Sequence, residues 1–187
     1  MTEAPTPYVL DADTMTGGMR PIRQAVLSLG SNLGERHAKL QGAVSALEDT
    51  PEVTVVAISS VYETDPVDAV EGSGKFLNAV VLLDTTLTVH TLLDRALAIE
   101  DAFGRERSEP GAPRTLDVDL IVVGPRVADD ESLKLPHPRA HERGFVLVPW
   151  LEIDPEGEIP GRGFVADLLE GVDTSGVHKR EDLEIIL

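Results

Sequence analysis

The stretch Pro113-Arg114-Thr115-Leu116-Asp117-Val118-Asp119-Leu120-Ile121-Val122-Val123 constrains this chain more than any other. It reads as a buried strand entered through a basic turn. Leu116, Val118, Leu120 and Val122 alternate with Asp117, Asp119 and Ile121. Residues i and i+2 of a strand share a face, so Asp117 and Asp119 stand side by side, roughly 6.5 Å apart along the backbone. Two such carboxylates repel each other unless a cation sits between them. An Asp-x-Asp pair in isolation also fits a solvated strand face. Here the flanking run is apolar, which argues for a central strand, where uncompensated charge is costly. Mg²⁺ suits the pair, because it takes one or two carboxylates and completes its shell with water and phosphate oxygens. Arg114, just ahead on the chain, has the geometry of a phosphate fork.

The chain of 187 residues is long enough for one domain with a sizeable core. A formal net charge of −17 excludes a general basic surface for nucleic acid. An anionic ligand therefore needs local positive clusters. Arg105-Glu106-Arg107, Arg114 and His137-Pro138-Arg139-Ala140-His141-Glu142-Arg143 provide them. The absence of cysteine removes disulfides and thiolate chemistry and fits a reducing, cytoplasmic compartment. No apolar run has the length of a membrane span.

Residues 1–22 are polar, acidic and unpatterned and read as a mobile tail; 23–170 read as the domain and 171–187 as a peripheral segment. Ala25–Gly30 is a first strand, broken at Gly30-Ser31-Asn32-Leu33-Gly34. Asn32, with Glu35 three residues on, is expected to cap a helix whose apolar stripe is Leu33, His37, Leu40, Val44 and Leu47. The Gly-Ser-Asn-x-Gly turn lacks the Lys of a P-loop, so turn plus cap is the preferred reading. Val53 to Tyr62 alternates as one strand. The acidic, Gly-rich loop 68–75 reads either as a mobile connection or as a binding loop. Phe76–Leu83 is a third strand, with Phe76 and Asn78 on one face. An Asn there needs hydrogen-bond partners, which neighbouring backbone or a planar heterocycle can supply. Val89 to Phe103 marks a second helix, with Glu100 near its end, followed by the arginine-bearing loop 105–113. Phe145–Leu151 is apolar and reads as the start of a short helix or as a packed segment, and a last helix is expected within Gly161–Leu169. The order strand, helix, strand, strand, helix, strand is the ferredoxin-like β-α-β-β-α-β sandwich of class α+β, with helices on one face of an antiparallel sheet.

Together, Leu29-Gly30-Ser31-Asn32-Leu33-Gly34, Tyr62-Glu63-Thr64-Asp65-Pro66, Phe76-Leu77-Asn78-Ala79-Val80, Gly111 through Leu120, Leu135-Pro136-His137-Pro138-Arg139 and Arg143-Gly144-Phe145 resemble the 6-hydroxymethyl-7,8-dihydropterin pyrophosphokinases of the folate pathway. The resemblance implies a monomeric enzyme that moves the terminal pyrophosphate of ATP to the pterin hydroxymethyl group and releases AMP. It implies that Asp117 and Asp119 hold two Mg²⁺ ions, with Arg105 and Arg114 acting alongside them in catalysis. It implies ATP contacts by Glu100, Arg105, Arg114, His137 and Arg143, and a pterin pocket of Thr64, Val67, Phe76, Asn78 and Phe145. The length of loops 68–75 and 105–113, their Gly and Pro content and the arginines of the second predict that both are mobile without ligand and order when both substrates bind. Many members carry Trp-Gly-Pro-Arg where this chain has Gly111-Ala112-Pro113-Arg114, so a cap over the pterin is missing here.

Overall fold

The computed structural model describes residues 20–32, 34–65, 74–104 and 115–187. The chain runs β1 (Arg23–Ser31), α1 (Arg36–Glu48), β2 (Val53–Ile58), β3 (Tyr62–Thr64), β4 (Phe76–Thr85), α2 (Val89–Gly104) and β5 (Leu116–Val123). A small hairpin follows, β6 (Ala128–Asp129) with β7 (Lys134–Leu135), and then α3 (Gly144–Ile153). A second hairpin, β8 (Glu158–Ile159) with β9 (Gly163–Phe164), leads to α4 (Val165–Leu169) and β10 (Val177–Lys179). No helix among the described residues is long and apolar enough to cross a membrane.

The main sheet is ordered β10-β3-β4-β1-β5, with β2 also paired to β4, and all its pairings are antiparallel. β1 lies inside it, between β4 and β5, as its unbroken buried run from Ala25 to Ser31 requires. Ala25, Leu27 and Leu29 point to the face covered by α1 and α2, where they meet Leu40, Val44, Leu92 and Ile99. The opposite face is covered over part of its length. Val26, Val80, Leu82, Ile121 and Val122 pack there against Val146, Leu147 and Trp150 of α3 and Val165 of α4. This is the α+β antiparallel architecture expected, with a second helical layer added.

Several local details depart from the sequence reading. The single strand expected over Val53–Tyr62 is two strands. At the break, the Ser59 N–H still donates to the Val80 carbonyl at 2.9 Å, but the Val80 N–H is taken by the Ser59 hydroxyl at 2.9 Å, which donates to the Ser60 carbonyl at 2.8 Å, so a side chain takes over one bond of the ladder. Asn32 does not cap α1. The helix begins at Arg36 with Glu35 as N-cap, no side-chain cap bond forms, and Asn32 is too early in the chain to reach. His37 sits on α1 half-buried and donates from Nε2 to the Glu184 carbonyl at 2.6 Å. Beside it the Gln41 amide exchanges two hydrogen bonds with the Ile186 backbone. The C-terminal segment, expected at the periphery, thus clasps α1, sends Ile185 into the core and adds β10 to the sheet.

β5 also breaks the expected alternation. Its register with β1 shifts between Val26 and Leu27, leaving Ile121 as a bulge. Val122 consequently joins Ile121 on the α3 face instead of sharing Leu120's face.

α3 is held by its tryptophan. Trp150 is 1% exposed, and its indole N–H donates to Asp154 at 3.1 Å. A Cβ added at Gly157 would lie 2.6 Å from that nitrogen. Gly157→Ala is therefore expected to displace the indole and cost about 1–3 kcal/mol, the usual range for overpacking. Trp150 is the chain's one tryptophan, so its fluorescence during urea unfolding reports both the loss of stability and the altered environment.

Candidate active site

Along each central strand the α3 face changes character. Toward one end it is apolar and covered by α3; toward the other it carries Ser28 and Gly30 on β1, Phe76 and Asn78 on β4, and Asp117 and Asp119 on β5. Register aligns them in rows. Asp119 lies opposite Ser28, and Asp117 lies opposite Gly30, which in turn lies opposite Asn78. These residues floor a cavity of 590 Å³. Arg139, Glu142, Arg143, Gly144 and Phe145, which lead into and begin α3, form one wall; Thr64, Asp65, Asp173, Ser175, Gly176 and Val177 form another.

Within the cavity Asn78 is 3% exposed, and its Nδ2 donates to Thr64 Oγ1 at 2.6 Å. The partner is a side chain on the neighbouring strand, two residues along β3 from Tyr62, the register partner of Asn78. A Cβ at Gly30 would stand 3.1 Å from Asn78 Oδ1 and 3.7 Å from the Phe76 ring, so glycine keeps the floor open between amide and aromatic ring. The Arg143 guanidinium lies 5.5 Å from the centre of the Phe145 ring, a cation–π distance. That stacking fixes both side chains at the mouth of α3.

The bulge at Ile121 places His137. Freed from the ladder, the Ile121 carbonyl accepts the His137 N–H at 2.8 Å, docking the Pro136-His137-Pro138 loop beside Asp119. Burial pushes the imidazole below its usual range, Asp119 opposes this, and Arg143 and Arg139 add to it. Its Nδ1 accepts the Arg139 N–H at 3.2 Å, so in the neutral ring Nε2 carries the proton. Glu100 takes a different position. It is 7% exposed on α2, and its Oε1 accepts the Val118 N–H at 2.8 Å, bracing β5 away from the cavity lining.

The structure thus brings Thr64, Phe76, Asn78, Asp117, Asp119, Arg143 and Phe145 around one cavity, with His137 adjacent, and sets Glu100 behind β5. Val67, Arg105 and Arg114, and with them most of the loops 68–75 and 105–113, lie outside the described residues. Ser28, Gly30, Glu142 and the 173–177 wall escaped sequence reasoning. Ser28 and Gly30 do share a strand face in the sequence, but nothing local tells which face is the cavity.

Residues 26–155 match the family model described as 7,8-dihydro-6-hydroxymethylpterin-pyrophosphokinase (HPPK). The chain belongs to the HPPK family. It is 44% identical over 158 residues to the 2-amino-4-hydroxy-6-hydroxymethyldihydropteridine pyrophosphokinase of Methylorubrum extorquens, covering 84% of this chain and 99% of that protein. With the enzyme of the same name from Pseudomonas aeruginosa it shares 36% identity, covering 84% of this chain and 97% of the relative. Its enzyme class is accordingly the pyrophosphokinase of folate synthesis. The crystal structure of wild-type Plasmodium falciparum HPPK-DHPS superposes with a TM-score of 0.61 at 14% identity, covering 81% of this chain and 45% of that one. The chain therefore spans under half of that longer protein, and the likeness speaks for the HPPK fold alone.

One more contact ties α3 to the cavity's far wall. The Tyr62 hydroxyl donates to Glu152 at 3.3 Å; burial first, then the Glu152 charge and this bond, push the phenol up to about 12. A phenol raised in the folded state contributes stability that is present below pH 10 and is lost as pH rises from about 10 to about 12. Absorbance titration is expected to show one tyrosine ionising near pH 12. Glu152→Gln should lower that value and narrow the alkaline window of lost stability; an unchanged titration would sink the assignment.

Proposed function

We propose that the chain transfers the terminal pyrophosphate of ATP to the hydroxymethyl group of 6-hydroxymethyl-7,8-dihydropterin and releases AMP, with Mg²⁺ at Asp117 and Asp119. One observation carries this reading: the Asp pair and the Phe76–Asn78–Phe145 slot open into the same cavity. Metal-suited carboxylates and a recess for a flat, hydrogen-bonding heterocycle thus face each other within one ligand's reach.

The donor set fits Mg²⁺. It offers oxygen alone, and among the described residues no group of three acidic or histidine side chains encloses an ion. Two carboxylates leave most of an octahedral shell to water and phosphate oxygens, the arrangement Mg²⁺ prefers. Bound there, two ions would neutralise the polyphosphate and ease deprotonation of the attacking hydroxyl. The described lining reinforces the need for cations. It holds Asp65, Asp117, Asp119, Glu142 and Asp173 against Arg139 and Arg143, so a polyphosphate enters favourably only with its metal and with further basic groups. Arg105 and Arg114 are proposed as those groups.

The remaining side chains position. Asn78, oriented by Thr64, presents its amide to the heterocycle edge. Phe76 and Phe145 supply apolar ring surface, and Val67 is proposed to complete the pocket. Arg143 and the Nε2–H of neutral His137 donate to phosphate oxygens. Glu100 serves the nucleotide side by holding β5, and so Asp117 and Asp119, in place. The hydroxymethyl oxygen then attacks the β-phosphorus in line, the bond to the α-phosphate oxygen breaks, and AMP leaves as the hydroxyl proton is lost. Positioning and charge neutralisation carry such a transfer, with no covalent enzyme intermediate. A cysteine-free chain and the use of ATP fit a cytoplasmic enzyme, and the monomer is proposed on the resemblance to the family alone.

The decisive assay mixes protein, MgATP and 6-hydroxymethyl-7,8-dihydropterin and follows AMP by chromatography. Pterin-dependent and Mg²⁺-dependent AMP is expected; hydrolysis to ADP, or no turnover, would refute the reading. Asp117→Ala and Asp119→Ala should each nearly abolish AMP formation while keeping the unfolding midpoint, because losing a carboxylate relieves repulsion in the metal-free protein. Asn78→Leu is expected to weaken pterin binding by about 1–3 kcal/mol. Calorimetry should find ATP affinity little changed, and equal losses for both ligands would assign Asn78 a structural role.

A further inference from the structure

The wall formed by 173–177 lies beyond residues 26–155, the stretch that the family match covers. It is built by β10 and the turn before it. β10 pairs with β3, setting Val177 opposite Thr64, His178 opposite Glu63 and Lys179 opposite Tyr62. The Asp65 N–H donates to the Gly176 carbonyl at 3.3 Å. Gly144 at the start of α3 lets this wall approach: a Cβ there would stand 3.2 Å from the Asp173 carbonyl oxygen.

Resting on the pterin-pocket reading above, we infer that Arg180 is a positioning residue for the pterin side of the cleft, acting through Glu63 to hold β3, and with it Thr64, against Asn78. The Arg180 backbone N–H donates to the Val61 carbonyl at 2.8 Å, and its guanidinium donates to Glu63 Oε2 at 3.1 Å. The same Glu63 oxygen is 3.0 Å from the Arg36 guanidinium. Arg36 also donates to the Lys75 carbonyl at 2.7 Å, at the approach to β4. Asp182 grips Arg180 by two further bonds at 2.8 and 2.7 Å, fixing its fork. One carboxylate thereby ties α1, β3, the entry to β4 and the C-terminal segment together.

Exposed ion pairs rarely matter, but this one is of another kind. The side chains of Glu63, Arg36 and Arg180 are 21%, 26% and 31% exposed, and they form a network. β3 and β10 are three residues each. So short a ladder at a sheet edge leaves register and tilt to side-chain contacts. Thr64 follows Glu63 directly and its Oγ1 takes the Asn78 amide at 2.6 Å, so a shift in β3 costs that amide its orientation. Asp117 and Asp119 sit on β5, at the opposite edge of the sheet order, and do not depend on it. The effect is therefore selective for one substrate.

The test compares Arg180→Ala and Arg180→Lys with the unaltered protein. Measured are kcat, KM for each substrate with the other saturating, calorimetric binding of 6-hydroxymethyl-7,8-dihydropterin, and thermal midpoint. Arg180→Ala is expected to raise the pterin KM and Kd by roughly 3- to 10-fold, the loss of about one oriented hydrogen bond. The ATP KM, and kcat at saturation, should stay within about 2-fold, inside the scatter of a distant surface change. Arg180→Lys, which can still pair with Glu63, should fall between. If Arg180→Ala does not fold, Glu63→Gln takes its place with the same expected selectivity. Unchanged pterin binding overturns the inference, and so does an equal rise in both KM values with a lowered midpoint, the mark of a merely structural role. Unaltered protein that binds no pterin overturns the pocket reading and this inference together; unaltered protein that binds pterin while the variants match it overturns this inference alone.

Discussion

One sheet face does two incompatible jobs, and the molecule is arranged around keeping them apart. Toward one end of β1, β4 and β5 the face is apolar and sealed by Trp150, Leu147 and Val146 of α3. Toward the other end the same strands present Ser28, Gly30, Asn78, Asp117 and Asp119 to an open cavity. Carboxylates cannot be buried unpaired, so α3 must stop where they begin. It starts at Gly144, a residue without a side chain, and Arg143 and Phe145 at that terminus become the edge of the site. The opposite face, packed continuously on α1 and α2, lets the strands tolerate this division without losing the core.

Small irregularities in the sheet set the site's geometry. A regular β5 would keep Val122 on Leu120's face and bind the Ile121 carbonyl in the ladder. The bulge moves Val122 into the α3 core and turns that carbonyl toward His137. It therefore secures the apolar half and docks a basic loop on the polar half at once. Ser59 does comparable work on the other side of β4. Its hydroxyl ends β2 and lets β3 restart at an offset, bringing Thr64 within reach of Asn78.

The electrostatics follow from the same division. A chain with net charge −17 lines its cavity mainly with acids among the described residues, and three of its described arginines are engaged by neighbouring side chains. Arg143 lies over Phe145, and Arg36 and Arg180 meet at Glu63. Such a cleft rejects a bare polyanion and accepts one that brings its own cations. Under the proposed function, this would filter for a co-substrate that travels with Mg²⁺.

The sequence by itself determined the central strands, both long helices and the pairing of Asp117 with Asp119, because these depend on periodicities of two and 3.6 residues that neighbours along the chain already express. Asn78 beside Phe76 was legible for the same reason. Tertiary structure alone decided what depends on partners distant in the chain. Asn32 could not be known to miss α1, nor Glu100 to turn its carboxylate to the Val118 N–H, until the strands were in place. The bulge at Ile121 leaves no mark in an apolar run, since either register buries apolar side chains. The C-terminal segment, polar and short of pattern, joins the sheet because β3 offers it an open edge and α1 offers His37 and Gln41. An open edge is a property of the assembled sheet, and no stretch of sequence carries it.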